Sequence, residues 1–246
     1  MQIHRSSYRY GSQNPVDEKY ERVVSLSRKY PYWGYLKIYD IRRGEDIAIG
    51  RERVGLIRRR EGLQVPVKRC KRRILGTTMQ WVKQARYPNH GWSYAFVFDN
   101  KRDGRTIKCL TVVDEFSRRG LPIAIARSFT VRDVIRHLEG LFRCCGKPLC
   151  LRSVNGTEMI AQCVRDWLAE QYAETHYIAP VSPWEKAYNE SFNSIYLTTC
   201  LDRWLFETMQ ETKDVTNAWL KEYNEVQPHG SLGGASPMQF LAQRNQ

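Results

Sequence analysis

The feature that most restricts the fold is a change of hydrophobic period at Trp92. From there the residues Trp92–Asp99, Ile107–Asp114 and Leu121–Ala126 read as three strands, with Asp103 and Gly104 turning the first into the second. Val134, Ile135, Leu138, Leu141 and Phe142 then recur at helical spacing over Val131–Cys144. A short strand over Leu149–Ser153, a helix over Met159–Gln171, a strand over Thr175–Ile178 and a further helix complete the run. Three strands followed by helix, strand, helix, strand and helix call for an α/β domain that opens with an antiparallel meander. The 246 residues are 42% hydrophobic and 12% aromatic, which suits one or two domains with a real core and argues against wholesale disorder.

Before Trp92 the chain is short of strand signals and rich in cations. Asn14 with Pro15 starts a helix that carries Val16, Tyr20, Val23 and Val24 until Pro31 stops it; a second fits Tyr35, Leu36, Ile38 and Tyr39, and a third fits Arg51–Arg60, with Gly44 and Gly50 between them. Residues 1–90 hold 21 Lys and Arg against 8 Asp and Glu, whereas residues 91–246 hold 18 of each, so the whole net charge of +13 lies in the first part. The densest stretch has Arg51, Arg53, Arg58, Arg59, Arg60, Lys68, Arg69, Lys71, Arg72 and Arg73, interleaved with Val54, Leu56 and Ile57. A polyanion partner, DNA, is the expectation, because each neutralised phosphate releases counterions. Three small helices with a basic last one resemble a helix-turn-helix-like unit. The expected organisation is a basic helical module over 1–64, a basic linker over 65–90 and an α/β domain over 91–246.

No stretch approaches the roughly 18 apolar residues of a membrane span, and the start, with Arg5 and Arg9 and no apolar run, lacks a secretory signal. A cytosol-like location, at the nucleoid for a DNA-binding chain, is expected, with no membrane partner. The seven cysteines are odd in number, contain no C-x-x-C and mostly sit in apolar runs, so buried free thiols are expected and neither a disulfide framework nor a zinc site is indicated.

Four landmarks occur in order over residues 92–240. They are Trp92-Ser93-Tyr94-Ala95-Phe96-Val97-Phe98-Asp99 with Cys109-Leu110-Thr111-Val112-Val113-Asp114-Glu115-Phe116-Ser117-Arg118; Arg152-Ser153-Val154-Asn155-Gly156-Thr157-Glu158-Met159; Ser182-Pro183-Trp184 running into Tyr188-Asn189-Glu190-Ser191-Phe192-Asn193; and Tyr223-Asn224, Pro228-His229, Ser231-Leu232-Gly233 and Ser236-Pro237. Together they resemble insertion-sequence transposases of the retroviral-integrase-like superfamily, the second-reading-frame product. Tyr30–Leu63 also resembles the helix-turn-helix-like segment that precedes the catalytic core in these proteins. The resemblance implies a ribonuclease H-like integrase core, a mixed five-stranded sheet with flanking helices, which agrees with the element order.

The family's chemistry is DNA cleavage and strand transfer by two divalent ions, Mg²⁺ or Mn²⁺, held by two aspartates and a glutamate. Carboxylates suit these hard ions. Mapped onto this chain, the first aspartate position is Ala95, the second is Val154 and the glutamate is Glu190, with 35 residues between the last two as in the family. The spacing survives while two of the three ligands are hydrocarbon, so no metal cofactor is expected here and catalysis is expected to be lost. Glu185, Lys186 and Ala187 also depart from the family's usual glutamine, asparagine and glycine.

Asp99, Asp114 and Glu158 are the acids that could substitute, but Asp99 is four strand residues from Ala95, about 13 Å. Asp114 with Glu115 reads more simply as a solvent-facing pair at a strand end, and Glu158 as a helix N-terminal carboxylate. His137 reads as packed or solvated, Arg118 and Arg152 as surface cations, and Trp184, Tyr188, Phe192 and Tyr196 as a core stripe. Three functional readings follow: a DNA-binding relative that has lost strand transfer, an active transposase using substitute carboxylates, and a regulatory or scaffold subunit that pairs with an active homologue. Homo-oligomers and a separately encoded helix-turn-helix partner are the assemblies the resemblance implies.

Overall fold

The computed structural model describes residues 18–45, 48–65, 85–100, 104–153, 158–172, 176–178 and 187–244. The chain divides into two compact units, Met1–Arg73 and Ile74–Gln246.

In the first unit, helix α1 spans Glu18–Lys29, α2 Tyr35–Gly44 and α3 Arg51–Arg60. Acids Glu18 and Glu21 open α1 and Arg28 and Lys29 close it, the order that suits the helix dipole. The expected start at Asn14 and Pro15 lies outside the described residues. Val23, Val24 and Leu26 of α1 pack with Ile38 of α2 and Val54 and Ile57 of α3 around Trp33, whose ring stacks on Tyr30 at 3.9 Å. One apolar stripe per helix is enough to close three short helices on a single aromatic centre.

The second unit is built on a five-stranded sheet of order β3-β2-β1-β4-β5, with β1 Gly91–Asn100, β2 Thr106–Asp114, β3 Ala124–Ala126, β4 Cys150–Ser153 and β5 His176–Ile178. The first three strands are antiparallel and β1, β4 and β5 are parallel, the ribonuclease H-like arrangement. Its helices are α4 Val131–Cys145, α5 Glu158–Gln171, α6 Ala187–Thr199, α7 Met209–Glu225 and α8 Pro237–Arg244. Strand β1 is central, and its residues from Gly91 to Val97 are buried on both faces, so it reads as a nearly continuous apolar run. Trp92, Tyr94 and Phe96 point to one face, with Leu138, Phe142 and Val164 of α4 and α5. Val97 points to the other, with Phe192 and Tyr196 of α6 and Trp219 and Tyr223 of α7. Thr130 and Asp133 form a capping box on α4, and Thr208 and Glu211 form one on α7.

Two local expectations change. The third strand, expected over Leu121–Ala126, is only Ala124–Ala126, because Pro122 has no N–H to give the ladder. The cysteines are not uniformly buried: Cys109 and Cys200 are, but Cys144 is exposed and Cys145, Cys150 and Cys163 are half-buried, while Cys70 lies outside the described residues. Cys144 falls on the outer side of the last turn of α4, where the apolar run of that helix gives way to the surface. Among the described residues no helix is long and apolar enough to cross a membrane.

Gly120 fixes how closely α6 and α7 approach the sheet edge. A Cβ there would lie 2.6 Å from the Phe192 ring and 2.7 Å from Leu220. Gly120→Ala is therefore expected to cost about 2 kcal/mol, read as a fall of several degrees in Tm; an unchanged Tm would refute this close approach.

Candidate functional site

The first two landmarks meet on β1. Ala95 is fully buried in mid-strand and pairs with Thr111 of β2. Helix α6 lies over this face through two asparagines: Asn189 Nδ2 donates to Ser93 O at 2.9 Å, and Thr111 Oγ1 lies 3.1 Å from Ala95 O and 2.8 Å from Asn193 Oδ1. Asn189 and Asn193 are four apart and so share a helix face, which is why both reach the strand. Glu190, between them, is exposed in the first turn of α6. On the other side of β1, Tyr94 is in register with Ser153, the last residue of β4. Val154, the next residue, lies outside the described residues.

These residues do not fit a two-ion cage. Magnesium takes oxygen ligands, and the Ala95 methyl, sealed beneath Asn193 and Thr111, offers none. Among the described residues no group of three or more His, Cys, Asp or Glu side chains could hold a metal ion. Substitution by another acid meets geometric obstacles. Asp114 pairs with Trp92, so it belongs to the opposite face of the sheet from Ala95 and lies three residues away along the strand. Asp99 adds its charge to the burial that pushes the thiols of Cys109 and Cys200 up, to about 11 and about 12. Cys200 follows α6 and lies ten residues from Glu190, roughly 15 Å along the helix axis. Asp99 therefore belongs near the far end of α6 from Glu190. The Glu158 side chain lies outside the described residues.

Asp114 and Glu115, expected to face solvent, are both buried, at 3% exposure. The tight turn after β2 folds Ser117 back so that its backbone N–H, at 3.1 Å, and its hydroxyl donate to the Asp114 carboxylate. Burial still pushes that carboxyl above its ordinary range, with the Ser117 bonds acting in the opposite sense. Glu115 lies 3.6 Å from Arg152 Nε, and Arg152 is buried too rather than a surface cation. Strand alternation places Arg152 on the α6 face, beside Ser93 in the parallel register, and that period of two is the signal that would have found it.

The basic helix also divides. Arg51, Arg53, Arg59 and Arg60 are exposed on α3, and the Arg51 guanidinium lies 5.2 Å from the Tyr39 ring centroid. Arg58, expected among the DNA contacts, is 2% exposed. Its Nη1 donates to Trp33 O at 2.5 Å, and its Nε and Nη2 donate to Leu63 O at 3.1 and 2.6 Å. The cation is spent on carbonyls inside the helical unit and its pKa is lowered by burial, so it cannot face a phosphate. Lys68, Arg69, Lys71, Arg72 and Arg73 lie outside the described residues.

The remaining landmarks dock the C-terminal tail. Asn224 grips Gly120 from both sides, accepting from its N–H at 2.9 Å and donating to its carbonyl at 2.8 Å, while Tyr223 OH donates to Arg118 O at 3.2 Å. The turn after α7 is held by Gly234 N–H and Leu232 N–H on His229 O. Phe192 and Tyr196 are core residues as expected, Tyr188 is half-buried, and Trp184 lies outside the described residues. His137 is packed with Nε2 3.0 Å from Pro122 O.

Comparison with known proteins gives these arrangements a lineage. An integrase core domain family matches residues 171–237. An uncharacterized 39.2 kDa protein of insertion element IS476 from Xanthomonas euvesicatoria is 32% identical over 221 residues, covering 90% of this chain and 64% of its own length, so the chain spans just under two thirds of that relative. An uncharacterized 31.7 kDa protein of insertion element IS407 from Burkholderia multivorans is 30% identical over 221 residues, covering 90% of this chain and 79% of its own length. Among solved structures, the HTLV-2 integrase catalytic core in complex with magnesium is 17% identical with a TM-score of 0.49, covering 62% of this chain and 96% of that one. The core of BIV integrase is 16% identical with a TM-score of 0.45, covering 64% and 96%. The four ordered landmarks, the mixed sheet and the insertion-element relatives agree, and the chain belongs to the insertion-sequence transposases of the retroviral-integrase-like superfamily.

Proposed function

We propose that this chain serves DNA transposition by holding DNA, chiefly through the exposed face of α3 and the basic segment up to Arg73, and does not itself cut or join strands. The observation that carries this reading is Ala95, a fully buried methyl where the family places a metal-binding carboxylate, beneath a helix anchored by Asn189 and Asn193. A methyl can neither ligate an ion nor move a proton, and Glu190 by itself supplies one carboxylate where two ions need several. Phosphate contact through Arg51, Arg53, Arg59 and Arg60 needs none of that chemistry.

Binding of a duplex as a function of salt tests the reading. Affinity should fall linearly with salt on logarithmic axes, and replacing Arg59 and Arg60 together by alanine should reduce the slope by about 2. A slope of zero in the unmodified chain would discard the proposal.

A further inference from the structure

Several landmark residues that are not metal ligands meet at a second place. Arg118, Tyr188, Ser191, His229 and Ser231 line one cavity of about 240 Å³, with Tyr223 also in its wall. They come from three stretches far apart in sequence. Tyr188 lies roughly 160° around α6 from Glu190, since each helical residue turns about 100°. The cavity is therefore not the family's metal position.

Its chemistry points to an anion. Arg118 is half-buried and stands in the left-handed region at φ 62°, a backbone conformation that ordinary side chains adopt only when their surroundings impose it. Its guanidinium lies 3.5 Å over the Tyr188 ring, and one nitrogen donates to Glu115 O. Among the described residues no carboxylate neutralises it. The aromatic face below and the carbonyl at one side hold the planar fork in place while leaving donors for a ligand. Ser191, Ser231 and His229 line the same space, and the first turns of α6 bring the positive end of a helix dipole. Donors from several directions suit tetrahedral oxygens better than the two coplanar oxygens of a carboxylate.

We propose that this cavity binds a phosphate group, with Arg118 as its principal ligand and Ser191 and Ser231 as hydroxyl donors. The site does not depend on the role given to α3. It explains why Arg118, Tyr188 and the Pro228-His229 to Ser231 segment belong to the landmarks although none of them is a metal-binding acid.

Thermal denaturation of the full chain in inorganic phosphate, against chloride at matched ionic strength, tests the site. Phosphate should raise Tm saturably, by about 4 °C at ten times its Kd, and Arg118→Gln should abolish the rise. Ser191→Ala with Ser231→Ala leaves the Arg118 stack intact and should weaken phosphate at least several-fold, which keeps the test decisive if Arg118→Gln folds poorly. No rise beyond chloride in the unmodified chain, or a rise that survives in both variants, would overturn the proposal. Duplex binding then separates the sources of phosphate. A salt slope lowered by about 1 in Arg118→Gln identifies a backbone phosphate as the ligand, whereas an unchanged slope with the phosphate effect present identifies a free phosphate ester. The Arg59 and Arg60 variant should retain the phosphate rise, so failure of the α3 reading and failure of this one give different results.

Discussion

Ala95→Asp is expected to destabilise the α/β unit by about 3 kcal/mol at neutral pH, a fall of roughly 6–12 °C in Tm. The position is fully buried, and Thr111 and Asn193 already satisfy each other over it. A carboxyl there would have its folded pKa raised above the unfolded value of about 3.9. The penalty is then small below the unfolded value and grows as pH rises towards the folded one, so the loss should be larger at pH 7 than at pH 4. Ala95→Asp combined with Val154→Asp restores, with Glu190, the family's three carboxylates. That double variant should gain Tm on adding millimolar Mg²⁺, while the unmodified chain should gain none. The gain would show that the surrounding scaffold still fits the ion and that only the ligands are missing. A metal-dependent, saturable rise in the unmodified chain would show that other residues complete the site.

The second large effect concerns an arginine that composition alone assigns to DNA. Arg58→Met should cost the helical unit about 3 kcal/mol, because the substitution strands the Trp33 and Leu63 carbonyls that the guanidinium now holds. Accelerated hydrogen exchange of the α3 amides would report it. Arg59→Ala, one residue on and exposed, should change stability by less than about 0.5 kcal/mol yet lower the salt slope of duplex binding by about 0.9. If the two variants behaved alike in stability, the division of α3 into a structural and a phosphate-facing side would be wrong.

The order of elements was readable because it rests on local signals: a nearly continuous apolar run along β1 and helical spacing on α4. What escaped was the fate of individual charges. Arg58 stands four residues after Val54 and next to Ile57, on the buried stripe of α3, so helical spacing carried the signal, but its cluster of cationic neighbours made it look solvated. Arg152 and Glu115 pair across elements 37 positions apart, and Asp114 is buried by a turn that only the folded chain brings round Ser117. Such contacts depend on register and long-range packing, which a linear pattern does not encode. The grip of Asn224 on Gly120, 104 residues away, is of the same kind. The cations from Lys68 to Arg73 lie outside the described residues.

Incubation of the purified full chain with a labelled insertion-end duplex in Mn²⁺, followed on a denaturing gel, tests the central claim most directly. Bound but uncut DNA, with no product above a metal-free control, is the expected result. A nicked or joined strand that disappears in Glu190→Gln would contradict it, because the buried methyl of Ala95 would then be part of a working phosphoryl-transfer site.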